Sequence, residues 1–271
     1  MFNEERTFGV EIEFIGNAQK VERAMRNEGL ACYSESYNHT TKSHWKIVTD
    51  SSVHATGNQM GNGLELVSPI LKGQNGMNQL EKACKALEAA GAKVNKTCGL
   101  HVHHDARDFT SATFVNLLLI YGRFEEAIDS LVSPSRRGNQ NTYCGSIQML
   151  NYSHEEIKEM AQLTPRQICN RIGTRYIKLN FQSYITHGTV EFRQHQGTIE
   201  FEKMYNWILL TQAMVERGTA REVKQGRNNS WNRFRTFLFI TKEGTGYSNA
   251  KSAEAKSMVK YFEKRRKELA A

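Results

Sequence analysis

The chain has 271 residues, 39% of them hydrophobic and 24% charged, with only 3 prolines and 20 glycines. That balance excludes a disordered, collagen-like or low-complexity chain and suffices to bury a sizeable core. A formal net charge of +8, from 36 Lys+Arg against 28 Asp+Glu, admits an anionic partner but selects none, and a solvated basic surface is the plainer reading.

The five cysteines (Cys32, Cys84, Cys98, Cys144 and Cys169) are odd in number and contain no C-x-x-C pair. A disulfide framework and a cysteine zinc site are therefore not expected, and a reducing cytoplasm is. The start, Met-Phe-Asn-Glu-Glu-Arg, carries early acidic residues with no apolar stretch behind it, so no signal peptide is expected. The longest apolar stretch, Phe114 to Tyr121, is broken by Asn116 and falls short of the ~20 residues of a membrane span.

In chain order, Thr7–Phe14 alternates, with Phe8, Val10, Ile12 and Phe14 on one face and Gly9, Glu11 and Glu13 on the other, which predicts a strand. A short helix is expected over about 17–28. Strands are predicted at Leu30–Tyr37, at His44–Asp50 and at Gly63–Ser68, the last stopped by Pro69. Met77–Ala90 has helical spacing at Leu80, Ala83, Cys84 and Leu87, with Gly91 as its stop. Cys98–His103 alternates again.

Thr110 or Ser111 can cap a helix over Ala112–Leu131. A polar loop, Ser133–Ser146, holds Arg136, Arg137, Gly138 and Asn139. Thr164-Pro165 opens another helix. Arg175–Tyr184 and Thr189–Gln194 read as a hairpin joined around His187-Gly188, and Thr198 caps an apolar helix through Trp207, Leu209, Leu210 and Met214. The remainder reads as helical with a break near Gly244–Gly246. Residues 251–267 carry seven Lys/Arg against two Glu, with Val259, Tyr261 and Phe262 on the apolar side. No repeat and no composition shift marks a linker. One domain over 1–271 is expected, with 220–271 as a helical, basic C-terminal extension. The mixed element order predicts an α+β fold with a largely antiparallel sheet and helices on one face.

Chemistry enters through a recurring pattern. Glu11 and Glu13 share one strand face, about 7 Å apart. Glu65 stands between Leu64 and Leu66, and His101 and His103 stand opposite Leu100 and Val102. Glu191, Arg193 and His195 share the polar side of the last strand. In a common sheet these faces would bring four carboxylates together, which repel unless cations lie between them. An oxygen-rich site with an occasional imidazole suits Mg²⁺ or Mn²⁺ rather than zinc, and such sites usually serve phosphate chemistry. Arg193 could neutralise charge in phosphoryl transfer, with a salt bridge to a neighbouring glutamate as its structural alternative. For His103 and His195 the alternative is a hydrogen-bonded structural histidine.

The strings Phe8-Gly-Val-Glu11-Ile-Glu13-Phe14, Val48-Thr-Asp50-Ser51-Ser52, Gly63-Leu-Glu65-Leu-Val-Ser-Pro69, Cys98-Gly-Leu-His101-Val-His103, Tyr176-Ile-Lys178-Leu-Asn180 and Thr189-Val-Glu191-Phe-Arg193-Gln-His195-Gln-Gly197-Thr, in this order, resemble the amidoligase family. That family is a branch of the glutamine synthetase and glutamate–cysteine ligase superfamily of carboxylate–amine ligases. The likeness spans residue 7 to about 215. It implies a curved antiparallel sheet, with helices on the convex face, whose concave face binds ATP and two or three Mg²⁺ or Mn²⁺ ions. It also implies Glu11, Glu13, Glu65, His101 and Glu191 as metal ligands and Arg193 as the contact to the transferring phosphate. Asp50 matches a recurrent acidic position and is taken as catalytic. Arg136, Arg137, Lys178, Asn180, His103 and His195 are taken as cofactor-binding.

The implied reaction forms an amide through an acyl phosphate at the expense of ATP. The acid and the amine stay open among amino acids, peptides, polyamines, protein side chains and cell-wall components, and so does the oligomeric state. The rivals are a metal-dependent hydrolase built on His101-Val-His103-His104-Asp105, a basic nucleic-acid-binding module, for which no recognised motif appears, and a family member that binds nucleotide without turnover.

Overall fold

The computed structural model describes residues 3–220, 223, 230–239 and 249–270. In chain order the regular elements are β1 (Phe8–Gly16), α1 (Ala18–Asn27), β2 (Cys32–Ser34), β3 (Trp45–Thr49), β4 (Asn62–Val67), α2 (Gly73–Ala89), β5 (Gly99–Asp105), α3 (Ser111–Asp129), α4 (His154–Glu159), α5 (Pro165–Ile172), β6 (Leu179–Asn180), α6 (Gln182–His187), β7 (Thr189–Gln196), α7 (Phe201–Ala220), α8 (Trp231–Phe239) and α9 (Asn249–Glu268). The fold is α+β, as the element order predicts. Two compact units are formed, one from residues 4–104 and 195–207, the other from Asn3, residues 105–194 and the described residues from Ile208 onward.

In the first unit the strand order is β2-β3-β4-β1-β5. β1 pairs antiparallel with β4 and with β5, and β3 pairs antiparallel with β4; β2 alone runs parallel to its neighbour. The predicted alternation of β1 is realised: Phe8, Val10, Ile12 and Phe14 are all buried, and they face the same way as the buried Leu64, Leu66, Leu100 and Val102. α2 lies against this apolar side, since a Cβ on Gly76 would fall 3.2 Å from the Phe8 ring and 2.9 Å from the Leu71 Cβ. That contact also explains why α2 starts at Gly73, four residues before the expected start. Its first turn is glycine-rich because the backbone must approach closely there, and glycine hides a helix from propensity.

In the second unit α3 is capped by the Thr110 hydroxyl, which accepts from the Thr113 amide. It buries Phe114, Leu117, Tyr121, Phe124 and Ile128. The expected hairpin at 175–194 is corrected. β6 is only two residues long, pairing Leu179 with Phe192 and Asn180 with Glu191, and the helix α6 follows it. The Asn180 side chain accepts from the Gln182 amide, Gly188 ends α6 at φ 68°, and Phe181 and Tyr184, three apart, both set their rings on Phe114. Side-chain capping and an i,i+3 aromatic pair override the β-propensity of the segment. α4 was not expected, although Ser153-His-Glu-Glu156 forms a capping box that the sequence spells out.

The described part of the C-terminal segment packs into this unit through Phe124–Phe234 and Trp231–Phe262 ring contacts and an Arg266 hydrogen bond to the Ser130 hydroxyl. Along α9 it is Met258 and Phe262 that are wholly buried, while Val259 and Tyr261 are half-buried. The break expected near Gly244–Gly246 lies outside the described residues. Among the described residues no helix is long and apolar enough to cross a membrane, and the antiparallel pairing is not that of the eight-unit parallel barrel the hydrolase reading needs.

One contact fixes the edge of the polar face. The Asp50 amide donates to the Gly63 carbonyl at 3.1 Å, and a Cβ on Gly63 would lie 1.7 Å from the Val53 carbonyl oxygen. Gly63→Ala is expected to lower stability by about 3 kcal/mol through overpacking, measured by urea denaturation. An unchanged midpoint would contradict this close seating of the 50–53 turn on β4.

Candidate functional site

The β-ladder register of the first unit decides which side chains meet. Glu13 is paired with Glu65 across β1–β4, Glu11 with His101 across β1–β5, and Gly9 with His103. Directly paired residues share a sheet face, so the parity seen in the three strings of β1, β4 and β5 becomes one polar surface here. Oxygen atoms of Glu13, Asp50 and Glu65 all lie within 4.8 Å of one another, and ligand atoms of Glu11, Glu65 and His101 form a second such group. Glu65 belongs to both.

Each member is held. Glu13 is buried and its Oε2 accepts from the Gly99 amide at 2.5 Å. His101 Nδ1 lies 3.1 Å from Glu11 Oε2, and its Nε2 lies 3.5 Å from Glu13 Oε1. His103 Nε2 approaches Glu11 Oε1 at 3.3 Å. Asp50 turns its Oδ1 back onto the Ser52 amide and hydroxyl, both at 2.7 Å. Burial pushes the Glu11 carboxyl up, but the His103 charge and hydrogen bonds from both histidines outweigh it and hold the group well below 4.5. His104 lies on the apolar side opposite Phe8, where burial, with Arg6 and His103 nearby, pushes its imidazole down to about 3. Of the three histidines in the run, only His101 and His103 therefore share the carboxylate surface.

Three carboxylates at this spacing repel one another. Two unit charges 4 Å apart repel by about 4 kcal/mol at an effective dielectric constant near 20. A cation between them would relieve that repulsion, and the donor set, carboxylate oxygens with a single imidazole, suits Mg²⁺ or Mn²⁺.

Lys46 was missed by the sequence reading. Its partner Val67 also pairs with Glu11, so Lys46 lies on the carboxylate face. Its enclosed ammonium donates to the Asn38 carbonyl (2.8 Å), Asn38 Oδ1 (3.0 Å) and the Thr40 carbonyl (2.9 Å). Burial lowers its pKa, while Glu35, Glu65 and Glu11 push it back up. It is a fixed counter-charge that also ties down the 35–44 loop. The signal was available: Lys46 alternates with Trp45 and Ile47 as Glu11 does with Val10 and Ile12.

The remaining expected residues are distributed differently. In the second unit Glu191 is buried, accepts from Asn180 Nδ2, and forms an ion pair with Arg193, whose Nε donates to the Tyr143 carbonyl at 3.2 Å. Lys178, expected at a phosphate, is instead wholly enclosed, with its ammonium 2.6 Å from both Glu125 and Asp129. The reason lies in α3: Glu125 and Asp129, four residues apart, turn inward among Tyr121, Phe124 and Ile128 and need a buried cation. Arg137, also expected at a phosphate, gives its Nε to the Val132 carbonyl and its Nη2 to the Leu269 carbonyl. Arg136 is buried. In the first unit His195 turns its Nδ1 to the Gln196 carbonyl, and its ring lies tilted against Trp207 with centroids 5.1 Å apart.

Residues 4–215 match the family described as "Putative amidoligase enzyme". The chain belongs to that family. Every metal-ligand candidate of the amidoligase resemblance lies within the matched residues. Among solved structures, the amidoligase chain is similar to a novel glutamine synthase homolog, at 11% identity and a TM-score of 0.45, covering 98% of this chain and 66% of that one. It is also similar to a bifunctional glutathione synthetase from Pasteurella multocida, at 10% identity and a TM-score of 0.39, covering 99% of this chain and 46% of that one. The chain thus spans just under two thirds of the first and less than half of the second. No curated protein matches it.

If repulsion dominates the Glu13–Glu65 pair in the metal-free protein, Glu65→Gln should raise its melting temperature while weakening Mn²⁺ affinity at least ~10-fold, because Glu65 belongs to both ligand groups. Calorimetric titration and thermal melting check both directions. A variant that melts earlier and binds Mn²⁺ as before makes Glu65 a structural partner only.

Proposed function

We propose that the chain is an ATP-dependent carbon–nitrogen ligase that joins a carboxylic acid to an amine through an acyl phosphate. The observation that carries the proposal is the cluster of Glu13, Asp50 and Glu65 oxygens within 4.8 Å on one sheet face, in a chain of the amidoligase family. Glu13, Asp50 and Glu65 would hold one Mg²⁺ or Mn²⁺, and Glu11, Glu65 and His101 a second. Such ions, when bound, neutralise phosphate oxygens and position the γ-phosphoryl group. The family resemblance assigns Glu191 to the same metal chemistry.

A substrate carboxylate oxygen attacks the γ-phosphorus of ATP, ADP leaves, and an acyl phosphate results. The amine nitrogen then attacks the acyl carbon, phosphate leaves, and an amide remains. The amine arrives as an ammonium and must lose a proton before it attacks. Asp50, with Oδ1 held by Ser52, has Oδ2 to offer either to a cation or to that proton. The guanidinium of Arg193, fixed between Glu191 and the Tyr143 carbonyl, is assigned to the charge developing on the transferring phosphoryl group. Asn180, hydrogen-bonded to Glu191, orients that carboxylate. Five free, buried cysteines are in keeping with a reducing cytoplasm, where ATP is available.

With acid, amine and Mg²⁺ present, ATP should be converted to ADP and phosphate, and EDTA should stop it. AMP and pyrophosphate would mean an adenylating enzyme and overturn the mechanism. Arg193→Lys keeps the charge but loses the planar fork. Turnover should fall on the order of 10²-fold with the melting temperature unchanged. Early melting with full specific activity in the folded fraction would make Arg193 scaffolding.

A further inference from the structure

Three of the seven large hydrophobic side chains exposed among the described residues gather in one place in the second unit. Tyr143 is 47% exposed, Met149 62% and Tyr176 44%. The two tyrosine rings lie edge to face with centroids 5.9 Å apart. The Met149 sulfur lies over Gly145, 2.7 Å from where a Cβ would sit there, and the Gly145 amide donates to the Tyr176 carbonyl at 2.9 Å. Gly145 thus brings the Met149 side chain and the Tyr176 backbone together beside the tyrosine pair. Exposed apolar side chains gathered in one place are a candidate surface for a ligand to cover.

Its rim is cationic. The Arg175 guanidinium lies over the Tyr176 ring at 5.2 Å, with Nη2 3.3 Å from the phenol oxygen. At the other end the Tyr143 carbonyl accepts from Arg193 Nε. The patch is thus joined directly to the residue assigned to the transferring phosphoryl group, and its role in the reaction rests on that assignment. The group that receives the phosphoryl is the substrate carboxylate, so the surface beside Arg193 belongs to the acid. The nucleobase sits at the far end of the triphosphate from the reacting group. The amine arrives as a cation, which two guanidinium groups disfavour.

We propose that Tyr143, Met149 and Tyr176 form the subsite for the body of the acid substrate, and that this acid is a peptide-borne carboxylate carried on, or next to, an apolar or aromatic side chain. Rings that are nearly half exposed form an open platform rather than a closed cavity. A platform gains by being covered by a large apolar group and gives little purchase on a small free acid.

The test uses the full chain with ATP, Mg²⁺ and hydroxylamine as the amine, which captures the acyl phosphate as a hydroxamate and releases phosphate. The acids are N-acetyl-Gly-Phe and N-acetyl-Gly-Gly. The phenylalanine peptide should show kcat/KM at least ~10-fold above the glycine peptide, the range a filled apolar pocket provides. Tyr143→Ala and Tyr176→Ala should draw that ratio towards 1 by raising KM for the phenylalanine peptide, with KM for ATP within twofold. Tyr176→Phe should keep the preference. Met149→Gln, at a side chain too exposed to carry the fold, should erode it if either tyrosine variant fails to fold. Hydroxamate formed from both peptides without preference, or variants that shift KM for ATP and for both peptides alike, would overturn the subsite and leave the ligase reading standing. Hydroxamate from free amino acids but from neither peptide would overturn the subsite and leave the ligase reading standing, whereas no hydroxamate and no phosphate release with the peptides or with a panel of free amino and dicarboxylic acids would overturn both.

Discussion

Repulsion between carboxylates that the β-ladder forces together is the constraint on which the first unit turns. Glu13 and Glu65 are paired residues on adjacent strands, and Asp50 reaches the same place from the turn after β3. Glu13 and Glu65 cannot be moved apart without breaking register, and a one-residue slip would put Phe14 and Leu64 on the polar face. Compensation is built around this cluster: the Gly99 amide on Glu13, Ser52 on Asp50, His101 and His103 on Glu11, and the Lys46 ammonium in the neighbouring row. The proposed cations would relieve the repulsion that remains.

Support for the cluster comes from backbone as much as from side chains. The close approach of Gly63 to Val53 seats the Asp50 turn, and Gly197 comes so near Cys98 that a Cβ would lie 2.4 Å from the Cys98 Cβ, with the Gly197 amide bonded to the Cys98 carbonyl. That second contact fixes the entry to β5, from which the Gly99 amide reaches Glu13. Preorganised donors and ligands held by rigid elements are what metal-assisted phosphoryl chemistry requires.

Period-two strings are where the sequence was most informative. Three strands carried Glu11, Glu13, Glu65, His101 and His103 opposite apolar residues, and side-chain parity in a strand is fixed by geometry. What parity could not show was pairing. That Glu65 faces Glu13 rather than Glu11 depends on the β1–β4 register, and that register depends on tertiary packing. Lys46 obeyed the same parity and was overlooked because it stood alone among apolar neighbours. Lys178 and Arg137 have partners within the chain that the sequence could not show. A basic residue in a motif-bearing segment looks like a phosphate ligand until its own acceptors are known, and Glu125, Asp129 and the Leu269 carbonyl are far from them in sequence. The expected hairpin failed because the Asn180 cap and the Phe181–Tyr184 pair on Phe114 outweighed strand propensity over so short a segment.

The chemistry assigned to the two units differs in kind: oxygen ligands for cations in the first, and in the second a guanidinium joined to an exposed aromatic platform. The central claim is that the carboxylate row of the first unit is a cation site. Crystals grown with Mn²⁺ and a non-hydrolysable ATP analogue, examined by anomalous diffraction at the manganese edge, test it most directly. The account predicts a peak within about 2.5 Å of carboxylate oxygens from both Glu13 and Glu65, the distance range of hard-cation coordination. Well-ordered Glu13 and Glu65 with no manganese between them, and manganese bound elsewhere, would contradict it.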